Sequence, residues 1–441
     1  MRPEGIDITS TEVQGRQGNH RKTRSLPIAG ACSNLRATRC QGQCRSHVAM
    51  KMGNRPVQEI HVLRQLPATL LLLLALMVSA PQTWAESNVG PGSRAEATAI
   101  IAGLRRIVTP DGIERLEAVD INGTKQWISI RSRNAANPVL LVVHGGPGWV
   151  AMPTSWYFAQ GWDEYFTVVQ WDQRGAGKSY DPALASTLTV DQMRRDMDAV
   201  IAWLRAETGQ DKLFLLGHSW GSVLGLDVAR RHPEWLHAYI GAGQVVDMRE
   251  SERRGWAWAM QKARERGNAA AMQELESIAP YAAAGVAVPI ADLFMQRKWV
   301  NAFGGAAFNR PDASFEAAAI ALSPDYTDQD VRDVWKAQDT SVERLMPSIL
   351  ETSMASLDRL RLPVVLLLGR NDINVSSEVA AEWFNRLQAP EKKLVWFENS
   401  AHEMLVEEPG KVLLTLVNEV LPLAQGATDK TQVDQRPSDG G

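Results

Sequence analysis

The sequence predicts an α/β fold in which a mostly parallel central sheet is flanked by helices and interrupted by a helical insertion. Short continuous apolar runs recur along the body of the chain, at residues 139–143, 166–171, 213–216, 238–240, 364–368 and 394–397. Runs of that length are what strands buried on both faces leave in a sequence. Helical stretches separate most of them, the alternation that parallel βαβ units require. Between Met248 and Ala355 no such run occurs, and Ala, Arg, Met and Trp follow amphipathic patterns instead.

Composition narrows the class further. The 441 residues include 47 Lys plus Arg, 50 Asp plus Glu and 45% hydrophobic residues, an ordinary soluble balance that excludes disordered, collagen-like and polytopic membrane chains. A net charge of -3 provides no global field for a polyanion, so nucleic acid is not an expected partner. The charge is nevertheless split. Residues 1–85 hold 11 Lys/Arg against 4 Asp/Glu, or +7, which leaves 36 against 46, or -10, for the rest.

Taken in order, the chain opens on residues 1–49, which are polar, Arg-rich and without periodicity, an expected non-structured extension. Met50 and Met52 are alternatives to Met1 as the true start. Cys32, Cys40 and Cys44 lie in this extension, where His47 would make only a weak fourth zinc ligand, so no metal is expected. Residues 50–85 read as a signal peptide: Lys51, Arg55 and Arg64 precede an apolar run at 66–80, and Thr83-x-Ala85 places small residues for cleavage after Ala85. The expectation is a secreted or periplasmic protein with no stable membrane association after cleavage. An uncleaved anchor is the alternative, because the run sits at the lower limit of a span. The mature body contains no cysteine, which excludes a disulfide, a thiol nucleophile and a thiolate metal site there.

Residues 86–247 form the first part of the predicted core. A hairpin-rich entry is expected over residues 103–134, with Ile128 and Ile130 alternating after an Asn122-Gly123 turn. Thr189 and Gln192 make a capping box for a helix whose Met193, Met197, Val200, Ile201 and Leu204 recur at helical spacing before Gly209. Residues 248–355 are the expected helical insertion, with Trp256, Trp258, Trp299 and Trp335 expected in its core. Residues 356–425 complete the core, and residues 426–441 form a flexible tail.

The chemistry concentrates at strand ends. The run at 213–216 leads into Gly217-His218-Ser219-Trp220-Gly221, followed by a helical stretch. A strand-to-helix turn this sharp requires glycines beside the central residue and lifts the Ser219 hydroxyl clear of the sheet, the placement of a nucleophile. A serine hydroxyl needs a base, and the base needs an orienting carboxylate. His232 and His237 follow Ser219 too soon for a Ser, acid, His order. His402, after the run at 394–397, is the expected base, and Asp372, after the run at 364–368, the expected acid. Read alone, Asp372 could equally be a turn residue. The run at 139–143 ends in His144-Gly145-Gly146-Pro147-Gly148, where small residues let the backbone approach substrate; Gly146 and Trp220 N–H are the expected oxyanion donors, with Gly145 a fallback. His144 is expected to hold the loop. Gly177-Lys178-Ser179 imitates a phosphate loop but has Asp172 where glycine is required, and His402-Glu403 has Val406 where a zinc helix needs histidine. No cofactor is implied.

These segments, together with Asp172-Gln173-Arg174-Gly175-Ala176-Gly177-Lys178-Ser179 and Glu408-Pro409, resemble the prolyl iminopeptidase branch of the α/β-hydrolases across residues 103–423. The resemblance implies an α/β-hydrolase core split by a helical cap and a serine hydrolase that releases N-terminal residues, often proline, from small peptides. It also implies cap acids that bind the substrate amine, for which Glu250, Glu252 and Asp339 are the candidates here. A carboxylic ester hydrolase with the same triad is the alternative, and a binding protein on the same fold a further one. Epoxide hydrolases and dehalogenases share the fold but place aspartate where Ser219 stands.

Overall fold

The computed structural model describes residues 90–424. The expected extension, signal peptide, cysteines and tail lie outside the described residues. Eight strands form one sheet in the order β1-β2-β4-β3-β5-β6-β7-β8. They are β1 (Ile113–Ile121), β2 (Thr124–Ser132), β3 (Val139–Val143), β4 (Thr167–Trp171), β5 (Leu213–His218), β6 (Leu236–Ala242), β7 (Val364–Gly369) and β8 (Lys392–Phe397). β2 pairs antiparallel with β1 and with β4, and every other pairing is parallel. The β1–β2 hairpin turns on Asn122 at φ 49 and Gly123 at φ 76, two left-handed residues that suit the strand twist.

The central strands are apolar on both faces because each face has its own core. Val139, Leu141, Leu213, Leu215, Val364 and Leu366 point into one cluster, while Leu140, Val142, Phe214, Leu216, Val365 and Leu367 point into the other. This two-residue alternation within continuous hydrophobic runs is the mark of a sheet covered on both sides. The edge strand β8 differs, opening on exposed Lys392 and Lys393, charges that discourage pairing with another edge.

The helices of eight residues or more are α1 (Arg94–Arg105), α2 (Val190–Thr208), α3 (Trp220–Arg231), α4 (Met248–Glu265), α5 (Ala269–Ser277), α6 (Ile290–Ala302), α7 (Ser314–Ala321), α8 (Asp328–Ile349) and α9 (Ser377–Arg386). α2 buries Met193, Met197, Val200, Ile201 and Leu204 against the first core and stops at Gly209, φ 67. Its capping box is half formed. Thr189 Oγ1 accepts from Gln192 N at 3.1 Å, but the Gln192 side chain donates to Asp196 at 2.7 Å instead of reaching back. The buried Asp196 carboxylate takes it, and the same carboxylate binds Arg174 in two bonds of 2.6 and 2.9 Å.

Helices α4 to α8 follow one another without an intervening strand. Trp299 is buried in a small core with Met260, Leu275 and Val300, and Trp256 and Trp258 pack against it. Trp335 departs from the expectation: it is 39% exposed and lies 5.5 Å from the Trp149 ring instead of in the cap core.

Candidate active site

β5 delivers His218 and Ser219 to the mouth of the sheet, and α3 begins at once with Trp220. Ser219 sits at φ 52, ψ -120, a left-handed conformation that a side chain tolerates only under constraint. The flanking glycines are steric requirements. A Cβ on Gly221 would stand 2.1 Å from the Val143 carbonyl oxygen, and one on Gly217 would stand 2.5 Å from that of Gly221.

β7 and β8 contribute the other two groups. Asp372 and His402 are buried, and His402 Nδ1 donates to Asp372 Oδ2 at 2.8 Å. Asp372 Oδ1 accepts the Val375 N–H at 2.9 Å, which orients the carboxylate. With Nδ1 carrying the proton, Nε2 is the lone-pair nitrogen. His402 and Ser219 border one cavity of about 250 Å³. Gly243 leaves room for this imidazole, since a Cβ there would lie 3.0 Å from His402 Cε1.

Gly146 borders the same cavity at φ 108, where a Cβ would strike the Trp149 nitrogen at 2.4 Å. Gly145 lies against the serine: its added Cβ would be 2.9 Å from Ser219 Cβ. Among the described residues, neither the Gly146 N–H nor the Trp220 N–H is taken by a loop or cap carbonyl. His144 is buried and held neutral by burial, its pKa lowered to about 4; Nδ1 donates to Gly145 O at 2.9 Å and Nε2 accepts from Gln173 N at 3.2 Å. It therefore shapes the glycine loop. Gln173 extends the brace, its amide donating to His144 O at 2.9 Å and accepting from Trp220 Nε1 at 3.0 Å. Sequence reasoning matched this residue as part of a motif without seeing its job, which is to tie the glycine loop to the serine turn.

The three cap acids do not meet at the cavity. Glu250 is bound by Arg253 and Arg254, and the Arg253 hydrogen bond above all lowers its pKa to about 2. Glu252 is fully buried, bonded to Tyr281 Oη at 2.8 Å and to Arg297. Asp339 is exposed on α8. None of them borders the cavity that Ser219 borders. Other acids stand at the cavity. Glu403 and Asp312 line the cavity, and Glu316 on α7 lies buried behind Trp149, whose Nε1 donates to it at 2.7 Å. Burial, reinforced by Glu407 and Asp372, pushes the Glu403 carboxyl up to about 8. Burial and the neighbouring Glu403 likewise raise Glu316 well above the carboxylate range. Sequence reasoning met Glu403 only as half of a discarded zinc motif.

One group of metal-type side chains occurs among the described residues, His218, His402 and Glu403, with ligand atoms within 4.8 Å of one another. His218 Nε2 donates to His402 O at 3.0 Å and His402 Nδ1 is held by Asp372, so both rings have already committed one nitrogen within the protein.

The family described as serine aminopeptidase, S33, matches residues 136–409. A probable aminopeptidase of Bacillus subtilis (strain 168), YbaC, is 30% identical over 304 residues, 68% of this chain and 94% of that protein. The proline iminopeptidase of Neisseria gonorrhoeae is 35% identical over 112 residues, 25% of this chain but only 34% of that protein. Among solved structures, the proline iminopeptidase of Mycobacterium smegmatis matches with a TM-score of 0.51 at 19% identity, over 71% of this chain and 100% of that one. A proline iminopeptidase-related protein of Thermus thermophilus matches with a TM-score of 0.51 at 21% identity, over 69% of this chain and 96% of that one. At such identities the structural likeness speaks for the fold alone, an α/β-hydrolase fold. The chain belongs to the S33 serine aminopeptidase family, in the prolyl iminopeptidase-like branch of the α/β-hydrolases, and is a hydrolase.

Proposed function

We propose that this hydrolase is a serine peptidase that releases N-terminal residues, proline among them, from small peptides through an acyl-enzyme on Ser219. The observation that carries the reading is the 2.8 Å bond from His402 to Asp372 in the cavity that a strained Ser219 also borders. His402 Nε2 takes the hydroxyl proton as Ser219 Oγ attacks the scissile carbonyl. Asp372 fixes the tautomer and stabilises the imidazolium, while the Gly146 and Trp220 N–H groups receive the developing oxyanion. The imidazolium then protonates the leaving amine, and water activated by the same imidazole releases the acyl group.

In this reading the substrate amine meets Glu403, with Glu316 buried behind the wall at Trp149, instead of Glu250, Glu252 and Asp339. Carboxyls held protonated in the free enzyme become carboxylates when an ammonium approaches, because opposite charge favours the ionised form. N-acetylation of a proline arylamide should lower kcat/KM by about 10² or more, since an acetylated nitrogen carries no charge for the carboxyl to ionise against and the acetyl group must occupy the place of the ammonium. Equal rates for free and acetylated substrates would reject the reading. A second reading, carboxylic ester hydrolysis, is favoured by the apolar cap side chains Leu293, Phe294, Val342 and Met346 on the cavity wall. It predicts rapid arylester hydrolysis with neither proline arylamide cleaved.

The leader supports export, with cleavage after Ala85. N-terminal sequencing of the exported protein should begin at Glu86, and retention of residues 66–80 would favour the uncleaved anchor.

A further inference from the structure

Arg297 is the only Lys or Arg that borders the Ser219 cavity among the described residues. It stands on α6 with its Nη2 donating to the Glu252 carboxylate, which is itself fully buried and held by Tyr281 Oη at 2.8 Å. This buried pair fixes the guanidinium against the cavity. The other terminal nitrogen, Nη1, has no hydrogen-bond partner and is sealed from bulk water, although the side chain as a whole keeps 17% of its surface exposed. A guanidinium that is partly exposed at the cavity edge and has one donor unmet by the protein retains the capacity to turn towards a second carboxylate, for which its fork geometry is suited.

The cavity supplies the complementary charge elsewhere. Glu403 leaves the core immediately after His402, with Glu316 close by behind Trp149, whereas Arg297 comes from the cap. The cap also brings the acid Asp312 to the cavity, so the pairing rests on Glu403 from the core and Arg297 from the cap, which match a molecule with an ammonium at one end and a carboxylate at the other. The volume of about 250 Å³ suits a ligand of few residues.

We propose that Arg297 binds the C-terminal carboxylate of the leaving fragment, so that the substrates are free di- and tripeptides and not the N-termini of long chains. The inference rests on the aminopeptidase reading, in which the ammonium lies on the acyl side of the scissile bond. Glu252 acts as a positioning residue that holds the guanidinium.

The test compares prolylglycine with prolylglycinamide on the mature enzyme, with proline arylamide as a reference. The free acid should be preferred by about tenfold or more in kcat/KM, mostly through KM, as loss of a charge-assisted bond predicts. In the double variant Glu252→Gln, Arg297→Met, which avoids leaving a buried carboxylate without its partner, that ratio should fall close to one. Acid and amide cleaved within twofold of each other by the wild type would overturn the inference, while arylamide cleavage would keep the aminopeptidase reading intact. A ratio that survives in the double variant would overturn the assignment to Arg297. If neither peptide nor arylamide is cleaved, the aminopeptidase reading itself fails. Should the variant not fold, the wild-type ratio alone decides.

Discussion

Asp372→Asn isolates the carboxylate proposed to orient His402, with the least disturbance to the fold. The amide is isosteric and its oxygen can keep the 2.9 Å bond from Val375 N–H, so thermal stability should change little. At the other atom the consequence is large. Asp372 Oδ2 accepts a hydrogen bond from His402 Nδ1 across 2.8 Å, whereas an amide NH₂ in that place is itself a donor and favours the opposite tautomer. Nε2 then carries the proton and cannot take one from Ser219. The analogous change in other serine enzymes lowers turnover by about 10⁴, equivalent to about 5.5 kcal/mol of barrier. The assay is steady-state kcat on the best arylamide or arylester, under conditions where chemistry limits the rate, alongside a melting curve. A variant that kept more than about a tenth of wild-type kcat would refute the reasoning and send the search for the acid elsewhere.

Two further outcomes follow from buried charge. Arg174→Met removes the partner of Asp196, whose side chain is fully buried, and should destabilise the protein by about 3–5 kcal/mol; a change below about 1 kcal/mol in urea unfolding would show that Asn122, Gln126 and Gln192 suffice. Glu403→Gln tests the raised carboxyl. Because the folded protein keeps this proton up to about pH 8 while an unfolded chain releases it near 4.5, the group's contribution is full below about 4.5 and declines as pH rises towards 8. The melting temperature of the variant relative to wild type should therefore climb across that window and level off above it. A difference independent of pH would contradict the assigned shift.

What could be read from sequence divides along physical lines. The central strands were legible because burial on both faces leaves continuous apolar runs, and the serine turn because sterics restrict Gly217 and Gly221. Strand ends also pointed to Asp372 and His402, which the fold joins in one hydrogen bond. Which acids border the cavity was not legible, and Glu250, Glu252 and Asp339 do not, since local pattern says nothing about which helix face meets the cavity. One of them carried a warning nonetheless: Arg253 and Arg254 stand three and four residues after Glu250, the spacing of paired charges on one helix. Glu252 and Arg297 are 45 residues apart, and no local periodicity links them. The same holds for Arg174 and Asp196, where a motif residue crosses to a helix whose apolar stripe hid its one buried acid.

The central claim is that Ser219 is the nucleophile of an acyl-enzyme, and covalent labelling tests it most directly. A fluorophosphonate applied to the folded enzyme should modify one serine, located by peptide mass mapping at Ser219, with no modification in Ser219→Ala and much slower modification in Asp372→Asn. Labelling at a different serine of the site, or labelling that persists in the folded Ser219→Ala protein, would contradict the account.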